Sequence, residues 1–385
     1  MVALPTGRRS AEGRRPGESA IVPNKTCLHD MHQKLGARIV DFHGWLLPVQ
    51  YEGILAEHNH TRSQVSLFDT CHMGQLLITG PDAADRLGEV LVQDCAAMEV
   101  GQCKYGFLLN EQGGILDDTI VARLGEEEFF LVVNAGPAEQ DHRWVRTHLP
   151  ESIDVQPLTS FGKLDVQGPR SAEVLAPHTD ADLNELGYFR ARRAKVGGVE
   201  CIFSRTGYTG ELGYEIFYPA AELGGLFQTL LGQEGVKPAG LGARDSLRLE
   251  MGYPLYGEDI DQNTNPLEAE LGFFVTRTHD FIGAEALERA RDAGVSRRLV
   301  AFQADTRRRA NHGNTILCDG RVAGEVTSGA FSPSLQTSIG IGYVSADVSA
   351  AGRSIVIDTG RAKMEATLVE KPLYTSGTCR KKVKL

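Results

Sequence analysis

Apolar and polar residues alternate with two different periods along the first two thirds of the chain, and these periods predict both strands and helices. Strands are predicted at 37–42, 72–80, 105–110, 115–124 and 129–134, and helices at 28–35, 54–64 and from Asp82 onward. Between them, GWLLPVQY (44–51) is predicted to be an aromatic loop. The turns EQGG and GEEE are typical of connections between antiparallel strands. This order of elements indicates an α+β domain with an antiparallel sheet.

A second series of the same kind follows. It runs through the strand LDVQGP, the helix AEVLAP, strands near KVGGVECIFSRTG and GYEIFY, and the helices AELGGLFQTLLGQEG and ARDSLRLEMG. From about Ser296 the pattern changes to short glycine-rich strands such as SIGIGYV and SIVIDTG, which favour a small β-barrel or sandwich. We therefore predict two mixed α+β units followed by an all-β domain.

Composition narrows the class of protein. A chain of 385 residues with 42% apolar and 23% charged residues is typical of a globular protein of two or three domains. The net charge of −10 argues against a general nucleic-acid binder. Its seven cysteines are scattered, without metal-ligand spacing, and predict a reducing compartment and no metal site. Apolar runs such as FFLVVNAG are much shorter than the roughly 20 residues of a membrane helix, so no membrane span is expected.

Both ends of the chain lack periodicity. Residues 1–26 combine Pro, Gly, Ser and paired arginines, which predicts a disordered tail. A transit peptide is the less favoured alternative, because Glu12 and Glu18 and the helix-breaking residues do not fit one. The basic residues at 376–385 are predicted to form a solvated end.

The stretch NEQGGILDDTIV (110–121) places two adjacent acids inside a predicted buried strand. Side chains alternate between the faces of a strand, so Asp117 and Asp118 point in opposite directions. Alternation puts Asp118 with Leu116, Ile120 and Ala122, the more apolar company. A carboxylate buried there costs several kcal/mol unless it is paired or used, which makes Asp118 the better functional candidate. The alternative is that both acids begin the strand in solvent beside the GG turn.

Two later segments also hold candidate site residues. The glycines of SRTGYTGELGYEIF (204–217) match no phosphate-binding motif, and are expected to bring the backbone close to a flat ligand. In this segment Glu215 is either a salt-bridge partner or a ligand contact. Arg244 and Arg248 share one helix face, where either forms a structural ion pair or meets a planar ligand. The three histidines His58, His60 and His72 are interpreted as ordinary. These residues do not by themselves name a reaction.

A resemblance carries the interpretation further. In order and spacing, GWLLPVQY, SLFDTCHMGQ, NEQGGILDD, VVNAG, RTGYTGELGYEI, GLGARDSLRLEMGYPLYGEDID, NPLEAELGFFV and EVTSGAFSPSL closely resemble the aminomethyltransferases (T-proteins) of the glycine cleavage system. The resemblance covers about residues 27–374. It implies an α+β cloverleaf of three domains around a central folate channel, with two interleaved mixed antiparallel-sheet domains at 27–290 and a C-terminal β-barrel at 291–375.

The resemblance also implies a reaction, its partners and a set of site residues. The methylene of the aminomethyl group on the dihydrolipoyl arm of the H-protein passes to tetrahydrofolate, and ammonia is released. Asp118 is the implied catalytic acid near the folate. The implied folate contacts are Met73, Asn134, Tyr208, Glu215, Arg244 and Arg298, with Tyr374 as a further candidate. No nucleic-acid or membrane partner is implied, and the expected location is the cytoplasm, or the mitochondrial matrix in a eukaryote.

Some segments depart from the family pattern and leave alternatives open. Cys71 stands where Ser commonly precedes HMG, and TRRRANHGNT (306–315) and the C-terminal PLYTSGTCRKK do not align cleanly. The main alternative is a folate-dependent demethylase of a sulfonium or methyl-ether substrate in the same fold family. A folate-binding scaffold for iron–sulfur assembly is disfavoured because RTGYTGELG lacks the cysteine of such relatives. A flavin-linked oxidase is disfavoured because the chain has no dinucleotide-binding fingerprint.

Overall fold

The computed structural model describes residues 22–385. The first ten strands are β1 Asn24–Lys25, β2 Arg38–Phe42, β3 Trp45–Gln50, β4 Val65–Asp69, β5 Gly74–Thr79, β6 Cys103–Leu109, β7 Ile115–Gly125, β8 Glu128–Val133, β9 Asp154–Pro157 and β10 Phe161–Gln167. The remaining strands are β11 Ala191–Val196, β12 Val199–Ser204, β13 Gly213–Pro219, β14 Val236–Pro238, β15 Arg297–Ala304, β16 Thr315–Cys318, β17 Arg321–Ser332, β18 Thr337–Ser345, β19 Ser354–Asp358 and β20 Lys363–Val369. The α-helices are α1 His29–Lys34, α2 Ile54–Ser63, α3 Ala83–Gly88, α4 Ala138–His148, α5 Ser171–Leu175, α6 Ala220–Leu231, α7 Leu241–Glu250 and α8 Ala284–Ala293.

These strands form three open sheets and one barrel. The first sheet has the order β1-β3-β2, the second β11-β12-β13-β10-β4-β14, and the third β6-β7-β8-β5-β9. Most neighbours are antiparallel, while β1–β3 and β14–β4 are parallel. The chain leaves the second sheet after β4, completes the third sheet, and returns to the second at β10. The two sheets are therefore interleaved in sequence, and the predicted α+β cloverleaf with a C-terminal barrel is confirmed.

The barrel closes in the order β15-β18-β17-β16-β19-β20. Its interior is filled by aliphatic side chains and by Phe302 of β15, which has no solvent exposure. The absence of a side chain at Gly340 makes room for that ring, since a Cβ there would lie 2.3 Å from the Cζ of Phe302. Alternation of inward apolar residues with small residues thus determines the packing of this domain.

The prediction that 44–51 is a loop was wrong. Residues Trp45–Gln50 form β3, because Leu47 and Val49 pack with Leu241 of α7 and the backbone pairs with β2. Helices α4 and α8 and strand β20 were not predicted. In α4 the sequence AEQDHRWVRTH contains few apolar residues, so its helical period is hard to detect.

The two ends of the chain also differ from expectation. The predicted tail 1–26 lies mostly outside the described residues, but Asn24 and Lys25 at its end pair with β3. The prediction of a solvated end at 376–385 holds for its basic side chains, which are exposed, but not for the whole segment. Its backbone accepts hydrogen bonds from the Arg205 guanidinium, at the carbonyls of Cys379 and Lys381, and Val383 is buried in the core of the second sheet. The segment stays in place because its carbonyl groups accept hydrogen bonds from the buried Arg205 guanidinium.

Thr378→Val is expected to lower the free energy of unfolding by about 1–3 kcal/mol. The hydroxyl of Thr378 donates to Glu211 Oε2 (2.5 Å) and accepts from the backbone N–H of Leu212 (2.8 Å). Valine leaves the Leu212 N–H without its partner and leaves Glu211 Oε2 with only the backbone N–H of residue 378. Urea unfolding of the variant measures the change. Ser376→Ala, at an exposed neighbour, is the control and should unfold like the parent protein. Equal urea midpoints for Thr378→Val and Ser376→Ala would show that the C-terminal segment does not stabilise the folded protein.

Candidate functional site

One large cavity lies where the sheets, α7, the barrel and the C-terminal segment meet. Its volume is about 1990 Å³. Its walls include Asp118 and Asn134 from the third sheet, Glu215 from the second sheet, Arg244 from α7, and Ser328 from the barrel. Because several separate units of the fold contribute to it, the cavity is the best candidate for a binding site.

Asp118 lies in the wall of this cavity, on β7 opposite Phe107 of β6. Its two carboxylate oxygens have different donors. The Tyr105 hydroxyl donates to Oδ2 (3.0 Å), and the Asn134 side-chain amide donates to Oδ1 (2.8 Å). Burial raises the pKa of Asp118 to about 6, although both hydrogen bonds act to lower it. A carboxyl group with this pKa beside a cavity is suited to accept and return a proton near neutral pH.

The structure confirms that Asp117 and Asp118 are not solvated at the start of a strand, but it changes the assignment of their neighbours. A bulge between Leu108 and Leu109 shifts the register next to Leu116. Leu116 therefore packs in the core that contains Val121, while Ile120 stays on the same strand face as Asp118. Asp117, whose strand face was predicted to be the less apolar one, has no solvent exposure. A one-residue bulge is enough to change faces because the side-chain period of a strand is two.

The hydrogen bond from Tyr105 favours the ionised carboxylate of Asp118. Because Tyr105→Phe removes this hydrogen bond, the pKa of Asp118 is expected to rise above about 6. If activity requires ionised Asp118, the acidic limb of kcat should shift to higher pH by about one unit or more. The pH dependence of kcat measures this shift. Tyr218→Phe removes a buried hydroxyl that donates to the Val196 carbonyl instead, and should leave the limb unchanged. An identical limb for Tyr105→Phe would contradict the assignment.

Glu215 and Arg244 belong to one buried ionic network. Lys163, at 1% side-chain exposure, contacts Asp165 (Nζ–Oδ1 2.5 Å) and Glu215 (Nζ–Oε1 2.6 Å). Arg244 donates from Nη1 to the other oxygen of Asp165 (2.8 Å), and the Thr206 hydroxyl donates to Oε2 of Glu215 (2.5 Å). The predicted ion-pair role holds for both Glu215 and Arg244. Each also lines the cavity, and the ligand contact stays a prediction.

Arg248 is a structural ion-pair residue that also reaches the cavity wall. Its guanidinium donates to Asp259 (2.7 Å), Asp245 (2.9 Å) and the barrel hydroxyl of Ser328 (2.8 Å). It therefore connects α7 to the barrel. Because all three nitrogens of its guanidinium already donate hydrogen bonds, Arg248 has fewer free donors for a ligand than Arg244.

The remaining predicted site residues divide into two groups. Met73, Asn134, Tyr208 and Tyr374 all line the cavity. The ring of Tyr208 lies 4.9 Å from the Arg244 guanidinium carbon, and its hydroxyl donates to the Pro254 carbonyl. Arg298 is the exception, because it does not itself line the cavity and pairs with Glu270, a residue of the cavity wall. The folate-binding role of Arg298 stays a prediction, since no residue of barrel strand β15 lines the cavity.

The glycines of 204–217 allow close packing of side chains inside the protein, which the sequence did not predict. A Cβ at Gly207 or Gly213 would collide with the side chain of Gln167, at 2.1 and 2.3 Å. Gly210 has a positive φ of 80° and faces Met251 at 2.3 Å. Gly207 and Gly210 also line the cavity, so close packing on one side allows the backbone to form the wall on the other.

Sequence reasoning missed Tyr105 and treated His72 as ordinary. Tyr105 could have been found by counting register, because β6 pairs with β7 and Tyr105 lies two residues from Phe107, the partner of Asp118. His72 lines the cavity next to Met73, and burial lowers its pKa to about 4, so it is neutral at physiological pH. No sequence pattern marks His72, since its burial depends on the tertiary packing.

The fold and site place the chain among known proteins. Residues 28–279 match the family described as GCVT N-terminal domain, and residues 297–375 match the glycine cleavage T-protein C-terminal barrel domain. An aminomethyltransferase of Halothermothrix orenii is 41% identical over 353 residues, which cover 90% of this chain and 99% of the relative. One from Clostridium botulinum is 38% identical, covering 92% and 98%. The crystal structure of the glycine cleavage system aminomethyltransferase T from Bartonella henselae is similar, with a TM-score of 0.88, 35% identity, and coverage of 92% and 99%.

The sheets and the barrel surround one cavity, and the family matches cover nearly all of the described residues. These two features define a one-carbon group transferase of the glycine cleavage type. The chain belongs to the glycine cleavage T-protein family. It is an aminomethyltransferase of the glycine cleavage system, which confirms the resemblance of its sequence motifs.

Proposed function

We propose that the central cavity binds tetrahydrofolate as a co-substrate and also admits the aminomethyl-bearing dihydrolipoyl arm of a lipoylated H-protein. The cavity volume of about 1990 Å³ supports this. A single small-molecule site usually occupies about 300–1,000 Å³, so there is room for two reacting groups. The polar groups on opposite walls would then bring the two substrates together.

The chemistry of the wall fits a folate. Glu215 would accept hydrogen bonds from the amino-pyrimidine donors of the pterin, because each carboxylate oxygen keeps a lone pair beyond its contact with Lys163 or Thr206. Arg244 makes one hydrogen bond to Asp165 and has further N–H groups for planar acceptors. Met73 offers a polarizable thioether to a flat ring. When bound, the folate supplies two amine nitrogens that take up the methylene group.

Asp118 would be the proton-handling residue. In its ionised form it supports the positive charge that develops on an attacking amine, and it can take the proton that this amine loses. Tyr105 and Asn134 hold its two oxygens in place, so little reorganisation is needed during the reaction. Neutral His72 adds no competing positive charge to the same wall.

The observation that carries this proposal is the position of Asp118, a carboxyl group with a raised pKa, in the wall of a cavity shared by the sheets and the barrel. A demethylase of the same fold family would also need an acid beside its folate. The distinction therefore depends on the carbon donor and requires an experiment.

The test is to mix the protein with aminomethylated H-protein and tetrahydrofolate and to measure ammonia and methylenetetrahydrofolate. We expect both products in equal amounts, and neither when one substrate is omitted. Titration with a stable reduced folate, followed by calorimetry, would measure binding separately. No ammonia with intact H-protein, together with folate binding, would overturn the proposed donor and favour the demethylase.

The location in the cell is proposed from the same family. The relatives compared above are bacterial, which supports a cytoplasmic enzyme. Within residues 22–385 no helix is both long and apolar enough to cross a membrane. Fractionation of the source cells, with detection of the protein in the soluble or membrane fraction, tests the location.

A further inference from the structure

Two cysteines lie side by side where the N-terminal segment meets the second sheet. The sulfurs of Cys27 and Cys71 are 3.9 Å apart, although the two residues are 44 positions apart in the chain. Both are free thiols, with Cys27 exposed and Cys71 partly exposed. Neither takes part in the proposed transfer reaction, so their contact needs a separate explanation.

One buried carboxylate holds the two cysteine-bearing segments together. Asp69 is the last residue of β4, and its side chain has no solvent exposure. The hydroxyl of Thr26, which precedes Cys27, donates to its Oδ2 (2.6 Å), and the backbone N–H of Cys71 donates to its Oδ1 (2.9 Å). Nε2 of His32 lies 2.7 Å from the same Oδ2. Hydrogen bonds to a common residue therefore keep the two cysteines next to each other.

The strand beneath the pair leaves room for both sulfurs. Gly162 of β10 has no side chain, and a Cβ there would lie 2.9 Å from the sulfur of Cys71 and 3.3 Å from that of Cys27. The backbone N–H of Lys163 donates to the Cys71 sulfur (3.3 Å). The sulfurs of a disulfide are about 2.05 Å apart, so the two thiols need to approach by about 2 Å, which is within the reach of side-chain rotation.

The two thiols differ in acidity. A hydrogen bond from the Cys71 thiol lowers the pKa of Cys27, although burial and the charge of Asp69 oppose this effect. The same hydrogen bond, together with burial, raises the pKa of Cys71 well above its ordinary value. Because the thiolate is the nucleophilic form of cysteine, the thiol that reacts first is Cys27, which is also the more exposed of the two.

We propose that Cys27 and Cys71 are a peroxide-responsive thiol pair, which a hydroperoxide converts to a reversible disulfide. The Cys27 thiolate attacks a peroxide oxygen and the O–O bond breaks, which gives a sulfenic acid on Cys27. The leaving hydroxide or alkoxide takes up the proton that Cys27 lost. The Cys71 sulfur then attacks the sulfenic sulfur, the S–O bond breaks, and water leaves with the proton of the Cys71 thiol. Each sulfur gives up one electron, and the peroxide takes up both.

The disulfide joins the N-terminal segment to the turn that leads into the cavity wall. Cys27 follows strand β1, and Cys71 directly precedes His72 and Met73, which line the cavity. In the reducing compartment that the cysteine content predicts, a disulfide of this kind is transient and reports on oxidants. Thiol reductants restore the two free cysteines by thiol–disulfide exchange.

Peptide mapping by mass spectrometry tests the bond directly. The reduced protein is treated with hydrogen peroxide, the remaining thiols are alkylated, and the protein is digested with trypsin, which places the two cysteines in separate peptides, 26–34 and 63–86. We expect these peptides to be cross-linked, with a mass two hydrogen atoms below their sum, and to separate again after dithiothreitol. Recovery of both peptides without a cross-link, whether alkylated or oxidised to sulfinic acid, would overturn the proposal.

Three single variants test the order of the steps. Cys27→Ser should form no cross-link, whereas Cys71→Ser should retain the sulfenic acid on Cys27, which dimedone traps. Cys379→Ser removes another partly exposed cysteine and is the matched control, with a cross-link that forms as in the parent protein. The assignment is wrong if Cys71→Ser traps no more dimedone than Cys27→Ser, or if Cys379→Ser loses the cross-link. None of these measurements uses a folate or an H-protein, so their outcome is independent of the proposed function.

Discussion

Asp118→Asn is expected to lower kcat for ammonia release by about 10²–10⁴-fold, the range for loss of a general acid–base residue. The amide keeps the shape of the carboxylate, but it cannot carry its charge or take a proton. Folate binding should change little, because Glu215 and Arg244 form a different part of the wall. Steady-state kinetics and calorimetric titration with reduced folate measure the two effects separately.

The loss should not come from unfolding. The raised pKa of Asp118 means that burial disfavours its charge in the folded state, so the ionised carboxylate costs stability as pH rises above its unfolded pKa of about 3.9. A neutral amide avoids this cost, and the melting temperature at neutral pH should equal or exceed that of the parent. Asp154→Asn, an exposed acid on β9 of the same sheet, is the control. Turnover close to that of the parent would contradict the catalytic assignment.

Lys163→Met is expected to lower the free energy of unfolding by about 3–5 kcal/mol, as when one partner of a buried ion pair is removed. Methionine has a similar length but leaves Asp165 and Glu215 without their shared cation. Arg244 still pairs with Asp165, which limits the loss. Urea unfolding at neutral pH measures the change.

The loss should depend on pH in a defined direction. Burial opposes ionisation of Asp165, but the charges of Lys163 and Arg244 outweigh it and hold the pKa of Asp165 below its ordinary value. A lowered pKa contributes stability above the unfolded pKa of about 3.9, and this contribution is lost as pH falls through the folded pKa. The difference between parent and variant should therefore be largest near neutral pH and should shrink below about pH 4.

Lys195→Met provides the matched comparison. This lysine is on β11 of the same sheet, with a 52% exposed side chain and a loose contact to Glu200 at 3.7 Å. Its loss should change stability by no more than about 0.5 kcal/mol. If the two lysine variants unfold alike, the buried network does not contribute as described.

Much of the fold was predictable because apolar runs bounded by turn residues mark its elements. Strands β6, β7 and β8 and helices α2 and α6 appeared within a few residues of their predicted bounds. The segment 44–51 was not, because its aromatic and apolar residues have no regular period and become a strand only against α7. Helix α4 was missed because it has few apolar residues and its buried face includes the acid Asp141.

The site was predictable only in part. Strand alternation separated Asp118 from Asp117, and the family motifs supplied Met73, Asn134, Tyr208, Glu215 and Arg244, which all line the cavity. Arg298 was carried over on the same basis, yet it lies outside the cavity wall and reaches only Glu270 at that wall. Its sequence context does not reveal that β15 contributes no residue to the cavity.

The sequence by itself determined that this is a multidomain α+β protein with a β-barrel at its end, and its motifs identified the family. Those features depend on side-chain periodicity and residue order, which are local properties of the chain. Only the tertiary structure decided that Tyr105 and Asn134 hold Asp118, and that the basic C-terminal segment is bound. Each of these contacts joins residues from different elements, and their pKa values depend on burial, which exists only after the sheets have packed together.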